Sequence, residues 1–135
     1  MDVSLSGKVI VITGAARGIV AAIAWQAAQS GAEALLLSDI DPVGVALPCP
    51  VESVSADLAL PGGPPAVIAA ALGRFGRIDG LLNAAGLTAR GSFADADVAF
   101  WNKMMSVNAR APFFLMAGAI ADMTARRNAR SSTGC

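Results

Sequence analysis

Apolar residues in this chain fall into short continuous runs, and the first run predicts a buried strand. Residues 8–13 are almost entirely β-branched and stop at Gly14, the pattern of a strand covered on both faces. Similar runs predict further strands at residues 34–38, 51–56 and 78–82. Glycine and proline separate these runs, as expected where the chain must turn.

Segments with helical spacing lie between and after the strands. We expect helices over residues 17–30, which are alanine-rich, and 66–75, which follow a proline-rich break. A longer helix is predicted over residues 97–123, where apolar positions recur at three and four residues and Pro112 introduces a kink or is tolerated locally. The proline-rich residues 41–50 exclude a long crossover helix, although parallel strands normally need one.

The alternation of strands and helices predicts an α/β fold with a doubly wound parallel sheet of Rossmann type. In such sheets a ligand lies at the carboxyl ends of the strands. This domain, incomplete as a Rossmann-type sheet, is expected to cover residues 1–123. The polar, aperiodic residues 124–135 predict a frayed or disordered tail.

Composition and charge narrow the classes of partner. Ten basic and ten acidic residues cancel, and the only dense basic cluster is Arg126, Arg127 and Arg130, which gives no electrostatic case for nucleic acid. The longest strongly apolar helical stretch, residues 111–121, has about half of the ~20 residues that span a bilayer, and no secretory signal is evident. We therefore expect a cytoplasmic protein without a membrane partner.

The cysteine content gives no indication of a metal site. Cys49 lies between prolines, Cys135 ends the sequence and histidine is absent. Neither cysteine has the spacing of metal ligands. Reduced thiols and no bound metal are the expectation.

The segment 13–20 is the first candidate for chemistry. It contains Gly14 and Gly18, and glycines between a strand and a helix let the backbone approach a pyrophosphate held at the helix N-terminus. Asp39 follows roughly 20 residues later, where a carboxylate can bond an adenosine ribose and repel a 2′-phosphate. NAD is therefore favoured over NADP, although Arg17 could assist a 2′-phosphate. An ordinary glycine-rich turn and a solvated aspartate remain alternatives.

Several linked motifs over about 110 residues resemble the short-chain dehydrogenase/reductase family of classical type, in order and spacing. The matching segments are residues 13–19, Asp39, residues 56–58, residues 75–79, residues 82–86 and residues 107–108. The resemblance implies a NAD(H)-dependent oxidoreductase acting on alcohol or carbonyl substrates.

The resemblance also implies a role for each matching residue. Residues that would line the pyrophosphate are Gly14, Arg17, Gly18 and Ile19; Asp39 would bind the ribose, and Asp57 with Leu58 the adenine. Asn83, Ala84 and Gly86 would belong to a loop that borders the cofactor. Asn108 would belong to a catalytic group of Asn, Ser, Tyr and Lys, of which only the Asn is matched. Backbone-bonding roles in a turn or helix remain alternatives for Asn83 and Asn108.

The chain departs from the family pattern in two respects. It contains no tyrosine, and the family's tyrosine is the proton donor or acceptor for the reacting oxygen. Val20 stands where a third glycine would allow close helix packing, at a typical overpacking cost of ~1–3 kcal/mol. The expectation is a cofactor-binding half that is inactive alone; a non-catalytic dinucleotide-binding or oligomerisation module and a partner chain that completes the site are alternatives.

A sheet that stops after the fourth strand would have the order 3-2-1-4, with one strand edge and an apolar helix face uncovered. Such surfaces invite pairing. In the family the long helix contributes to a helix-bundle interface between subunits. The resemblance therefore implies a homo-oligomer formed through the helix near residues 97–123.

Overall fold

The computed structural model describes residues 3–16, 18–41, 43–88 and 92–132. The strands are β1 (Val9–Thr13), β2 (Ala34–Asp39), β3 (Val51–Ser55) and β4 (Gly80–Leu82). The helices are α1 (Gly18–Gln29), α2 (Gly63–Phe75), α3 (Val98–Met105) and α4 (Ala111–Ser132), with a π-helical segment, Ser106–Arg110, joining the last two. Each predicted strand and helix is present, and most boundaries differ from the prediction by three residues or fewer. The exception is the helix predicted over residues 97–123, which contains the π-helical segment and continues to Ser132.

The sheet is parallel and has the strand order β3-β2-β1-β4, which confirms the predicted order. Val11 at the centre pairs with Leu36 of β2 on one side and Leu81 of β4 on the other. Val11 and Leu36 are fully buried, because a central parallel strand is covered by helices on both faces.

Two apolar clusters lie on opposite faces of the sheet. On one face, α2 and α4 pack against the strands through fully buried Val67 and Leu115. On the other, α1 packs through Ala24, Ala27 and Ala28, whose small side chains allow a helix to lie close to the strands. Val20 is half-buried and packs against this second cluster. Helices on both faces make the fold a doubly wound Rossmann-type sheet.

The connection between β2 and β3 contains no helix over residues 43–50. Pro42 falls outside the described residues, while Pro48 and Pro50 lie in the connection itself. Proline lacks the backbone donor that a helix needs. The prediction that no long crossover helix forms there is confirmed for the described part of the connection.

The predicted long helix contains a change of winding just before Pro112. The N–H of Ala111 donates to the carbonyl of Ser106, a π-type bond one residue longer than the α-helical one. Pro112 has no N–H to donate to the preceding turn. The π-helical turn therefore lies where the series of α-helical hydrogen bonds would be interrupted. The chain continues as α4 without ending.

Residues 124–132 differ from the disordered tail that their composition predicts, because α4 continues to Ser132. Arg126 donates to the carbonyl oxygen of Ile78 at 2.6 Å and to Asp122 at 3.0 Å. Asp122 in turn accepts from the N–H of Ile78 at 2.9 Å. These hydrogen bonds attach the end of the helix to the segment before β4. Amino-acid composition alone does not predict them.

One helical stretch, Val98–Ser131, is long and apolar enough by length and composition to cross a membrane, with 17% of its most apolar window buried. Ala111, Leu115 and Ala119 on this stretch are buried in the core cluster. A core helix of a globular domain passes the same test, so membrane crossing does not follow from it. The absence of a membrane partner stays a prediction.

Candidate functional site

A cleft of about 460 Å³ opens at the carboxyl ends of the strands. Each of the four strands is followed by residues that line it, and the long helix closes one side. The lining residues are Gly14, Asp39, Ile40, Asp41, Ala56, Asp57, Leu58, Ala59, Ala84, Ala85, Gly86, Leu87, Lys103 and Val107. The volume suits a small-molecule ligand, and the location is the one that a doubly wound sheet offers for binding.

Gly14 joins the turn after β1 to the loop after β4. It has a φ of 72°, and a Cβ placed there would lie 2.8 Å from the backbone nitrogen of Ala85. Thr13 reinforces the contact, because its Oγ1 accepts a hydrogen bond from that same nitrogen at 3.2 Å. Only glycine satisfies both the left-handed conformation and the close approach.

Gly18 begins α1 beside the cleft. Its φ is 59°, and a Cβ there would meet nothing within 4 Å, so open space lies over the first helical turn. Ile19 is 79% exposed. The first N–H groups of a helix lack intrahelical partners and favour an anion, which fits a phosphate group, although neither residue lines the cleft itself. Arg17 lies outside the described residues.

Asp39 ends β2 and is fixed by backbone donors. Its carboxylate accepts from the N–H of Ala16 at 3.0 Å and from the N–H of Asp41 at 3.2 Å. A carboxylate has about four acceptor sites, so it retains capacity for a ligand hydroxyl. Asp39 therefore orders the turn before α1 and also faces the cleft.

Asp57 and Leu58 follow β3 and form one wall. The Oδ1 of Asp57 accepts from the N–H of Ala59 at 2.9 Å, an Asx-type turn that holds the loop. Leu58 lines the cleft but also belongs to the buried core. The wall is consequently anchored to the sheet.

The loop after β4 supplies another part of the cleft lining. Ala84 and Gly86 line the cleft, while Asn83 does not. The Oδ1 of Asn83 is buried and has no hydrogen-bond partner among the described residues. Such an atom is costly unless a partner is supplied.

Asn108 lies behind that loop, in the π-helical segment. Its Oδ1 accepts from the N–H of Leu87 at 2.8 Å, and its Nδ2 donates to the carbonyl of Leu87 at 2.8 Å. The side-chain amide of Asn108 thus forms two hydrogen bonds with the backbone of Leu87, as the backbone of a neighbouring strand would. Asn108 does not line the cleft, and its contribution in this structure is to position the loop.

The charges of the cleft are unequal. Three carboxylates line it, from Asp39, Asp41 and Asp57, against the one lining ammonium of Lys103 among the described residues. No described residue makes an ion pair with Lys103. Its amino group is therefore available to an anionic ligand.

Three residues that line the cleft were not predicted from the sequence: Lys103, Asp41 and Ile40. Lys103 precedes Val107 by four positions, and residues so spaced share one helix face, so the motif at residues 107–108 contained a usable signal. Asp41 and Ile40 lie in an irregular loop, where no periodicity indicates which side chains face inward.

The comparisons with known proteins agree with this architecture. The short chain dehydrogenase family model matches residues 8–131. The 2-dehydro-3-deoxy-D-gluconate 5-dehydrogenase of Escherichia coli (strain K12) is 32% identical over 130 residues, which cover 93% of this chain and 51% of that protein. The chain spans about half the length of the curated relatives it matches.

Solved structures of two reductases have a similar fold over most of this chain. L-sorbose reductase from Gluconobacter frateurii, complexed with NADPH and L-sorbose, aligns with a TM-score of 0.85 at 31% identity, covering 93% of this chain and 51% of that one. The NADH-dependent reductase A1-R′ complexed with NAD aligns with a TM-score of 0.81 at 31% identity, covering 94% and 56%. With its sheet order, its glycine turn and the family match over nearly its whole length, this chain belongs to the short-chain dehydrogenase/reductase family.

Proposed function

We propose that the carboxyl-end cleft binds a nicotinamide dinucleotide, and that the chain is the cofactor-binding part of an oxidoreductase that acts on alcohol or carbonyl substrates. The observation that carries the proposal is the arrangement of Gly14 and Asp39 around one opening, a close backbone turn and a fixed carboxylate. The open helix N-terminus at Gly18 follows the same turn along the chain. Relatives solved with NADPH and with NAD support it.

Each part of the cleft suits one part of the cofactor. The first turn of α1 offers backbone donors to the pyrophosphate, Asp39 offers an acceptor to the adenosine ribose, and the wall at Asp57 and Leu58 borders the adenine. The bound dinucleotide would supply the hydride. The described residues bind and orient it.

We propose that NAD is preferred over NADP. The 2′-phosphate of NADP would bring negative charge to the side of the cleft where Asp39, Asp41 and Asp57 lie. At separations of about 4 Å, like charges near a protein surface repel by several kcal/mol. Lys103 offsets part of this repulsion, so the preference is expected to be finite.

Turnover is not expected from these 135 residues alone, because they contain no tyrosine to exchange a proton with the substrate oxygen. Asn108 is the one matched member of the family's catalytic group. In this structure its amide is already bonded to Leu87. Its further role, if a longer protein or a partner chain completes the site, would be to hold the loop against the cofactor.

The test is a titration of the chain with NADH and with NADPH, followed by calorimetry. We expect saturable binding, tighter for NADH, and about threefold weaker binding of both for Lys103→Gln, since one exposed charge is removed. Asp39→Asn keeps an acceptor for the N–H of Ala16 but removes the charge. It should shift the NADPH-to-NADH affinity ratio towards NADPH by about tenfold, which is 1.4 kcal/mol.

Arg74→Gln is the matched control. It removes one positive charge from an exposed position on α2 that is paired with Glu52 and does not line the cleft. Equal losses in Lys103→Gln and Arg74→Gln would show a nonspecific charge effect. Absence of binding to a folded wild-type chain would refute the proposal and favour a non-catalytic module.

We also propose self-association through the long helix. Phe113, Phe114, Met116 and Ile120 are between 44% and 62% exposed, more contiguous apolar surface than one helix usually leaves in water. A second copy would cover it. Light scattering across a range of concentrations should show a dimer or higher species that Phe113→Gln weakens, and a monomer at all concentrations would refute the proposal.

A further inference from the structure

A second cleft, of about 350 Å³, lies at the opposite end of the sheet, where the strands begin. Lys8 stands immediately before β1, and Arg77 and Asp79 lie in the segment before β4. The last turns of α4 contribute the rest of the charged wall. The lining residues of that wall are Arg126, Arg127, Arg130 and Ser131.

Two of these guanidinium groups are held in place by Asp79. Its side chain is 7% exposed and accepts from Arg77 at 2.9 and 2.7 Å, a bidentate pair. Arg126 lies 3.3 Å from the same carboxylate and 3.0 Å from Asp122. Arg77 uses two of its five N–H groups and Arg126 at most three, so each guanidinium keeps N–H donors that can bind an oxyanion.

The positive charge of this cleft exceeds the carboxylates that neutralise it. Five basic side chains line it, against three nearby carboxylates among the described residues: Asp79 in the lining, Asp122 beside it, and Glu33, whose charge acts on Arg77. Arg130 has an interaction of its own, so the excess positive charge is assigned to Lys8 and Arg127. Lys8 and Arg127 make no ion pair with any described residue. The carboxyl end of α4 adds only about half a negative charge, so Lys8 and Arg127 leave a net positive charge at this end of a chain of zero net charge.

We propose that this amino-end cleft is a binding site for a multivalent oxyanion of the phosphoryl class. Excess positive charge in a concave site attracts such a ligand, and the fixed guanidinium groups offer it paired donors. Ser131 lies in the same wall, with its hydroxyl donating to the carbonyl of Arg127 at 3.2 Å. The size of the cleft fits a pyrophosphate-sized ion rather than an extended polyanion.

Such a ligand would connect three segments that are distant in sequence: the start of β1, the segment before β4 and the end of α4. A ligand that binds only the folded state stabilises it in proportion to the logarithm of its concentration over Kd. The site would therefore act on stability at the end of the molecule opposite to the dinucleotide cleft. The proposal does not depend on dinucleotide binding.

The experiment is a titration of the chain with inorganic pyrophosphate at constant ionic strength, followed by backbone amide NMR, with melting temperature as a second readout. We expect saturable shifts at Lys8, Arg77 and residues 126–131, and a melting temperature that rises with pyrophosphate but not with chloride. Lys8→Gln combined with Arg127→Gln should weaken binding by about tenfold, since charge-assisted bonds are lost. Both side chains are exposed, so folding should be retained.

The controls separate the two clefts, because pyrophosphate is also part of a dinucleotide. Lys103→Gln, at the carboxyl-end cleft, and Arg74→Gln, outside both clefts, should leave the amino-end shifts unchanged. Shifts confined to Gly14 and residues 83–87 would place the anion in the dinucleotide cleft and overturn the proposal. Unsaturable shifts, or equal affinity in the double variant, would show counterion condensation only and would overturn it as well.

Discussion

The two ends of the same sheet use opposite kinds of chemistry. At the carboxyl end, the loops are held by backbone donors and small residues, and the charges that line the cleft are mostly negative. At the amino end, the segments are held by charged side chains, and the lining is mostly positive. The difference shows that backbone contacts can leave a cleft open for a ligand, whereas side-chain ion pairs attach distant segments directly.

Asp79 and Asp39 illustrate the contrast at single residues. Asp79 joins Val9, Arg77 and Arg126, so three segments depend on one carboxylate. Among the described residues, Asp39 accepts from the N–H groups of Ala16 and Asp41 in nearby turns. Removing the first should therefore affect the whole fold, and removing the second mainly the cleft.

The largest expected effect is that of Asp79→Ala. The change removes the nearly buried partner of Arg77, one of the two carboxylates that bind Arg126, and the acceptor of the Val9 N–H. Breaking a buried ion pair costs about 3 kcal/mol or more. Urea denaturation monitored by circular dichroism should show this decrease in the free energy of unfolding.

Glu52→Gln is the matched control for the ion pair, because Glu52 and Arg74 are 44% and 59% exposed. Exposed pairs contribute about 0–1 kcal/mol, so its stability should hardly change. If both variants lose the same free energy of unfolding, the ion pairs of Asp79 stabilise the fold no more than an exposed pair does. The contrast between the two ends of the sheet would then be wrong.

The next effect tests the carboxyl end with Gly14→Ala and Gly18→Ala. Both glycines have positive φ, which costs a substituted residue about 1–2 kcal/mol. Only at Gly14 would the new Cβ also lie 2.8 Å from backbone, adding overpacking of about 1–3 kcal/mol. Thermal or urea unfolding should rank Gly14→Ala as clearly less stable than Gly18→Ala, and equal losses would contradict the close approach of the two loops.

The smallest effect is a pH dependence at the amino end. Burial raises the pKa of the Asp79 carboxyl, but hydrogen bonds from Arg77 and the Val9 N–H, with the charges of Arg77 and Arg126, outweigh it and leave the pKa lowered. A lowered folded-state pKa gives stability that is complete above the unfolded pKa, about 4, and is lost as the pH falls through the folded value.

The stability difference between wild type and Asp79→Ala should therefore be constant from about pH 6 to 8 and shrink below about pH 4. Urea denaturation across this range measures it. A difference that stays the same at pH 3 would show that the charge of Asp79 contributes nothing, and that only packing separates the two proteins.

Much of the fold could be predicted because its signals are local. The β-branched run before Gly14 indicates a buried strand, and the prolines of the β2–β3 connection exclude a helix there. At Pro112 the sequence predicted a kink or local tolerance, and the π-helical segment that precedes it was not predicted. Val20 was recognised as a departure, and the structure shows only that it packs against the core.

The sites were predictable where a motif specifies backbone geometry and not where side chains meet across the fold. Gly14 and Asp39 were identified from their place after strands. Asp41 and the Asp79–Arg126 pair were not, because Asp41 lies in an irregular loop and the paired residues are distant in sequence. Lys103 was not identified either, although its helical spacing from Val107 contained a signal. The same limit explains the helical residues 124–132, whose polar composition indicates a tail until Asp122 and Arg126 are seen to bond with Ile78.

The sequence by itself determined the alternation of strands and helices, the glycine turn and membership of the family, because hydrophobic periodicity and backbone permissiveness are properties of neighbouring residues. Only the tertiary structure decided the length of α4, the pairing of Asn108 with Leu87 and the separation of charge between the two ends of the sheet. These features depend on which side chains the parallel sheet brings to the same edge. Separation along the sequence does not predict which residues lie close together in space.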